Sequence, residues 1–184
     1  ISGFGQEGPY AILAGYDYIF QGMSGLMSVT GEPDGQPQKV GVAVTDLFTG
    51  IYASTGILAA VHQRQVTGKG QHIDMALLDV ATAMMTNQAM NYLVTEKAPP
   101  RMGNAHPNIV TNQVLDCADG HIIVASGNDG QYRQFCALLG VDALAEHPDY
   151  ATNAARLQNR VTLTALLTEQ TVNWAKLELL AACE

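Results

Sequence analysis

The chain has 184 residues and a formal net charge of −8; 47% of its residues are apolar and 14% charged, with a sequence pI near 4.9. This is a globular composition with sparse surface charge, and without clustered Lys or Arg it lacks the basic patch that nucleic-acid binding needs. The three cysteines are far apart and the five histidines have no ligand spacing. No uninterrupted apolar run reaches the ~18 residues of a membrane span, and no secretory signal is evident. Disulfides, a metal site, a nucleic-acid partner and a membrane partner are therefore not expected, and a cytoplasmic location is.

The first residues, Ile1-Ser2-Gly3-Phe4-Gly5-Gln6-Glu7-Gly8-Pro9, form a glycine-rich loop suited to close backbone approach. Gly15-Tyr16-Asp17 precedes a helical segment from Tyr18 to about Ser28, with Asp17 placed to cap it. Thr30 to Pro37 is turn chemistry, with Glu32 and Asp34 as solvated turn residues.

Gly41 to Gln71 is the most organised stretch. Val42-Ala43-Val44 leads to Thr45-Asp46 and then a long helix-compatible segment. Leu47, Ile51, Leu58 and Val61 fall at helical spacing beside a small-residue stripe of Gly50, Ala53, Gly56 and Ala60. Gly68-Lys69-Gly70 ends the segment with residues that tolerate positive φ. Asp46 thus stands where the chain enters a helix, near free backbone N–H groups and the positive end of the dipole. By spacing alone, an aspartate there is an N-cap.

Gln71 to Leu77 alternates polar with apolar, which predicts a half-buried strand with Asp74 as an outward or interface carboxylate. A helix is predicted from Asp79 to about Val94, with Met84, Met85 and Met90 as adaptable core filler. Thr95 to Pro100 breaks it. Arg101-Met102-Gly103-Asn104-Ala105-His106-Pro107-Asn108 reads as a loop. Two strands, Thr111 to Leu115 and His121 to Ala125, flank an Asp119-Gly120 turn and form a hairpin. A helix from Gln131 to Leu139 buries Phe135, Leu138 and Leu139, and a turn at His147 to Tyr150 leads to a helix from about Asn153. Leu163, Leu166 and Leu167 continue an apolar face toward Trp174.

Three of these stretches, Ser2-Gly3-Phe4-Gly5-Gln6, the Asp46 helix ending in Thr67-Gly68-Lys69-Gly70-Gln71, and Arg101 to Pro107, resemble the family III CoA-transferases. That group includes formyl-CoA transferase, carnitine CoA-transferase and α-methylacyl-CoA racemase. The resemblance implies an α/β fold covering the middle of a longer protein. Residues 1–94 would be part of a Rossmann-like large CoA-binding domain, 95–103 a linker, and 104–184 a C-terminally incomplete small α+β domain.

The resemblance also implies roles. Asp46 matches the catalytic carboxylate, which would carry CoA as an aspartyl thioester while it passes from an acyl-CoA donor to a carboxylic acid acceptor. Coenzyme A would enter as substrate, without a metal, in an interlocked homodimer. Gly3, Phe4 and Gln6 match the loop along the CoA site, and Leu77 matches a position lining the acyl pocket, although simple core packing explains a leucine there. Gly103, Asn104 and His106 match a loop closing over the site, where backbone N–H groups or the Asn104 amide would face an oxyanion. Tyr16 occupies the position of the racemase histidine. With an ordinary pKa near ~10, a tyrosine cannot take a proton from an α-carbon at neutral pH, which favours transfer over a racemase or isomerase. A third alternative is an inactive piece that acts only as a folding or dimerisation unit.

Overall fold

A computed structural model describes residues 1–184, which divide into two compact units, Ile1–Gly103 and Asn104–Glu184.

The first unit carries five helices: α1 (Asp17–Met23), α2 (Leu26–Val29), α3 (Val44–Thr67), α4 (Leu77–Ala83) and α5 (Thr86–Thr95). The helix expected from Tyr18 to Ser28 is two helices, because Gly25 adopts φ +92° between them, a conformation cheap only for glycine. The segment expected as one helix from Asp79 to Val94 is likewise interrupted at Met84 and Met85, followed by Thr86 at φ 36°. Met84 and Met85 are half-buried, but Met90 is exposed and fills no core here.

The strand expected at Gln71–Leu77 does not form. Only Ala76 pairs, in a single parallel bridge to Ser2, in which the Ser2 N–H donates to the Met75 carbonyl and the Leu77 N–H to the Ser2 carbonyl. Alternation describes a side-chain pattern, but a strand also needs a neighbour for each backbone group.

Helix α3 ends as its sequence indicates, with Gly68 at φ +72° donating its N–H to the Arg64 carbonyl. Its packed face is the opposite of what size alone suggests. Thr45, Thr49 and Ala53, spaced by four, are buried, whereas Leu47, Ile51 and Leu58 are well exposed and Val61 borderline. Gly56 continues the small face and lies against Ile73 and Met75. Although no uninterrupted apolar run is long enough, α3 as a whole has the length and average composition of a membrane span, a test that core helices of soluble proteins also pass.

The second unit is built on the expected hairpin, β1 (Asn112–Cys117) and β2 (Gly120–Ala125), antiparallel and in register from Asn112 opposite Ala125 to Cys117 opposite Gly120. The helices α6 (Asp129–Leu138), α7 (Asp142–Glu146), α8 (Asn153–Gln158), α9 (Arg160–Thr171) and α10 (Lys176–Ala182) follow. Leu115, Ile122, Phe135, Leu139, Leu163 and Leu167 are buried in one cluster with Leu138, Leu166 and Trp174 packed against it, as the stripes predicted. At its centre lies Arg156, fully buried. It donates to the Val110 carbonyl at 2.7 Å, the Tyr150 carbonyl at 2.9 Å and Asp129 Oδ1 at 2.7 Å, and its guanidinium lies 4.2 Å from the Tyr132 ring centroid.

Candidate functional site

Helix α1 gathers most of the predicted site residues of the first unit. Its Phe20 is fully buried and its ring packs edge-on against Phe4 at 5.1 Å, with Phe4 in turn against Tyr10 at 5.3 Å. Two glycines make room for Phe20: a Cβ on Gly3 would lie 3.0 Å from its Cζ, and one on Gly15 only 2.1 Å away. Gly3 and Phe4 are therefore packing residues of the loop. Gln6 is exposed, and its N–H donates to Asp74 Oδ2 at 3.0 Å. Leu77, half-buried at the start of α4, tethers the same loop through its N–H to Ser2, while the Leu78 N–H donates to the Gly3 carbonyl. Tyr16 flanks α1 with its side chain 77% exposed.

Asp46 is the third residue of α3 and does not cap it; the N-cap position is Ala43, which offers no side-chain bond. The cap comes from α1. Asp17 Oδ1 accepts the Thr45 N–H at 2.8 Å and also the Thr45 hydroxyl. Gln21 Nε2 donates to Asp17 Oδ2 at 2.7 Å, and Gln21 Oε1 accepts the Val40 N–H at 2.8 Å. Asp17, expected as the cap of its own helix, thus caps a helix 28 residues away. Burial pushes its pKa up, but the bonds from Thr45 and Gln21 outweigh this and hold the carboxyl below its ordinary value of 3.8.

The consequence for Asp46 is that its side chain is exposed and engages no protein group. The Thr45 N–H, a first-turn donor of the helix, is taken by another residue, and the Asp46 carboxylate is left available at the positive end of a 24-residue helix. No competing thiol nucleophile is activated: burial raises the pKa of Cys117, Cys136 and Cys183 alike.

The 101–108 loop behaves differently from expectation. Arg101 donates to the carbonyls of Glu32, Pro33 and Gly35, and the Gly103 N–H donates to the Gly31 carbonyl at 3.0 Å. That N–H is already satisfied and is not a free oxyanion donor. Asn104 is exposed and opens the second unit. His106 pins its own loop, with Nδ1 accepting the Asn108 N–H at 3.1 Å and its backbone N–H donating to the Asn112 carbonyl. A hollow of about 420 Å³ in the second unit, lined by Ile122, Phe135, Leu138, Leu180 and Cys183 among others, contains none of the predicted site residues. No group of acidic, histidine and cysteine side chains has the arrangement of a metal site.

The profile of CoA-transferase family III matches residues 1–184. The chain belongs to CoA-transferase family III. It is 56% identical over all 184 residues to a succinate–glutarate CoA-transferase of Agrobacterium fabrum, covering 46% of that protein. It is 42% identical over 170 residues to the human succinyl-CoA:glutarate CoA-transferase, covering 92% of this chain and 39% of the relative. A solved CAIB/BAIF family protein from Brucella suis is 54% identical with a TM-score of 0.80, over 99% of this chain and 48% of that one. A solved protein of M. tuberculosis, 24% identical, shares the fold at a TM-score of 0.85. The chain spans about half the length of the relatives it matches, and its mixed α/β architecture is a partial family III fold.

Proposed function

We propose that the whole protein is an acyl-CoA:carboxylate CoA-transferase with Asp46 as its covalent way-station. Residues 1–94 would be part of its large domain, 95–103 the connection and 104–184 part of its small domain. The observation that carries the reading is the unpartnered Asp46 carboxylate on the first turn of α3, whose cap is supplied by Asp17. The names of the A. fabrum and human relatives support short dicarboxylic acids, succinate and glutarate, as the acids exchanged.

In this reading a carboxylate oxygen of Asp46 attacks the donor thioester carbonyl. The C–S bond breaks, giving a mixed anhydride and CoA thiolate. The thiolate attacks the aspartyl carbonyl of the anhydride, forming an aspartyl-CoA thioester and releasing the donor acid as its carboxylate. The acceptor carboxylate attacks that thioester, expelling thiolate and forming a second anhydride. The thiolate then attacks the acceptor's acyl carbonyl, which yields the new acyl-CoA and regenerates Asp46. No net proton or electron is consumed, and each difficult step is divided into easier ones.

A homodimer belongs to the same proposal. Helix α3 leaves Leu47, Ile51 and Leu58 more than half exposed, an apolar surface larger than isolated exposed residues produce, and the remainder of the protein and a second copy would cover it. The test is thioester exchange by the full-length enzyme with labelled glutarate and succinyl-CoA. Label entering the thioester pool, and its loss in Asp46→Asn, is the expected outcome. Undiminished exchange by Asp46→Asn would remove the aspartate from the chemistry.

A further inference from the structure

The reaction proposed above makes an unusual demand on the helix that carries its nucleophile. During turnover the Asp46 side chain passes from carboxylate to anhydride to thioester and back, losing its charge each time. A carboxylate that both capped the helix and formed these intermediates would give up its bonds to the first N–H groups, and its favourable interaction with the helix dipole, at the moment of reaction. The helix start would then shift with each covalent state, and the position of the reacting carbonyl with it.

The structure separates the two tasks. The N–H and the hydroxyl of Thr45 both donate to the Asp17 carboxylate. Asp17 is itself held by Gln21 Nε2. Gln21 has no exposed surface, and it also binds the approach to the helix through the Val40 N–H at 2.8 Å and the Val42 carbonyl at 3.4 Å. Thr45, fully buried, passes the constraint one turn on, its carbonyl accepting the Thr49 hydroxyl at 2.7 Å. Helix α1 therefore grips the chain on both sides of the α3 entrance, and none of these bonds uses the Asp46 side chain.

We propose that Asp17 is a positioning residue: it holds the first turn of α3 in place of Asp46, so that the helix entrance stays fixed while Asp46 is acylated and released. This rests on Asp46 being the covalent carrier. The hydrogen bonds that keep Asp17 ionised at neutral pH support the same role.

The test uses the full-length enzyme with Asp17→Ala and Asp17→Asn, reading kcat, KM for acyl-CoA, and the amount of hydroxylamine-trapped Asp46 per chain. Asp17→Ala is expected to lower kcat roughly 10- to 100-fold, the scale of a slight misplacement of reacting groups, with KM changed by less than about threefold. Asp17→Asn keeps an oxygen that accepts the Thr45 N–H and should recover most of the loss. Parent kcat in Asp17→Ala overturns the inference. So does a loss matched by a proportional fall in trappable chains with an unchanged rate per chain, because that is unfolding and not mispositioning. Asp46→Asn run alongside separates the two claims. If it exchanges thioesters at the parent rate, the covalent reading fails and this one with it; if it is silent while Asp17→Ala is normal, only the role of Asp17 fails.

Discussion

The two units of the chain hold themselves together in different ways. In Asn104–Glu184, large side chains from the hairpin and from α6, α9 and α10, among them Leu115, Phe135, Leu163, Leu167 and Leu179, close into one core. In Ile1–Gly103 the buried residues are Phe20, Gln21, Thr45, Thr49, Ala53, Ala76, Val80 and Ala81, mostly small or polar, while Leu47, Ile51, Tyr52, Leu58 and Leu93 remain at least 45% exposed. The unit with the ordinary core carries little that reads as chemistry. The unit bearing Asp46 relies on specific hydrogen bonds and two glycine-lined contacts, and keeps its apolar surface outward. The chain spans about half of its relatives, and the contrast marks where its own packing leaves apolar surface uncovered.

The largest effect that tests the contrast is folding itself. Residues 104–184 alone should unfold cooperatively on heating with protected core amides, whereas residues 1–103 alone should show no sharp transition; circular dichroism melts and hydrogen exchange decide this. Cooperative melting of the first piece would break the comparison. Next is Arg156→Met in the second unit, which removes the donor to the Val110 and Tyr150 carbonyls and leaves Asp129 with the Asn153 N–H. A loss of about 2–4 kcal/mol in denaturant titration is expected from leaving these two carbonyls without their donor, the part-exposed Asp129 adding little.

In the first unit Gly15→Ala drives a Cβ into Phe20. It should cost about 2–3 kcal/mol as an overpacked site, read as faster amide exchange across α1. The smallest effect concerns acid. Asp17 has a lowered folded pKa, so its contribution is fully present above its ordinary value of 3.8 and is lost as pH falls through the folded value. Stability of the first unit should therefore fall on acidification below about pH 4, and Asp17→Asn should flatten that part of the profile.

What the sequence discloses follows the range of the interaction. The hairpin was legible because Asp119-Gly120 and the flanking alternation are local, and Gly68 marked the end of α3 for the same reason. The stripe Leu163, Leu166 and Leu167 was legible because its partners lie in the same unit. The cap of α3 was hidden: Thr45 and Asp17 are 28 residues apart, and each has a plausible local explanation in its own helix. Gln71–Leu77 has the alternation of a strand, yet only Ala76 finds a backbone partner. The packed face of α3 was not legible for a related reason. Periodicity shows which residues share a side, and Leu47, Ile51 and Leu58 do, but it cannot show that the threonines are the ones packed inward. Arg156 gave no signal, since a lone arginine in a polar helix looks solvated until the carbonyls around it are seen.

The most direct measurement is hydroxylamine trapping on the full-length enzyme during turnover with acyl-CoA and acceptor acid, followed by mass mapping of the peptides. The account predicts a hydroxamate on Asp46, appearing only when acyl-CoA is present. Steady thioester exchange with no hydroxamate on Asp46, or with one on a different residue, would contradict it.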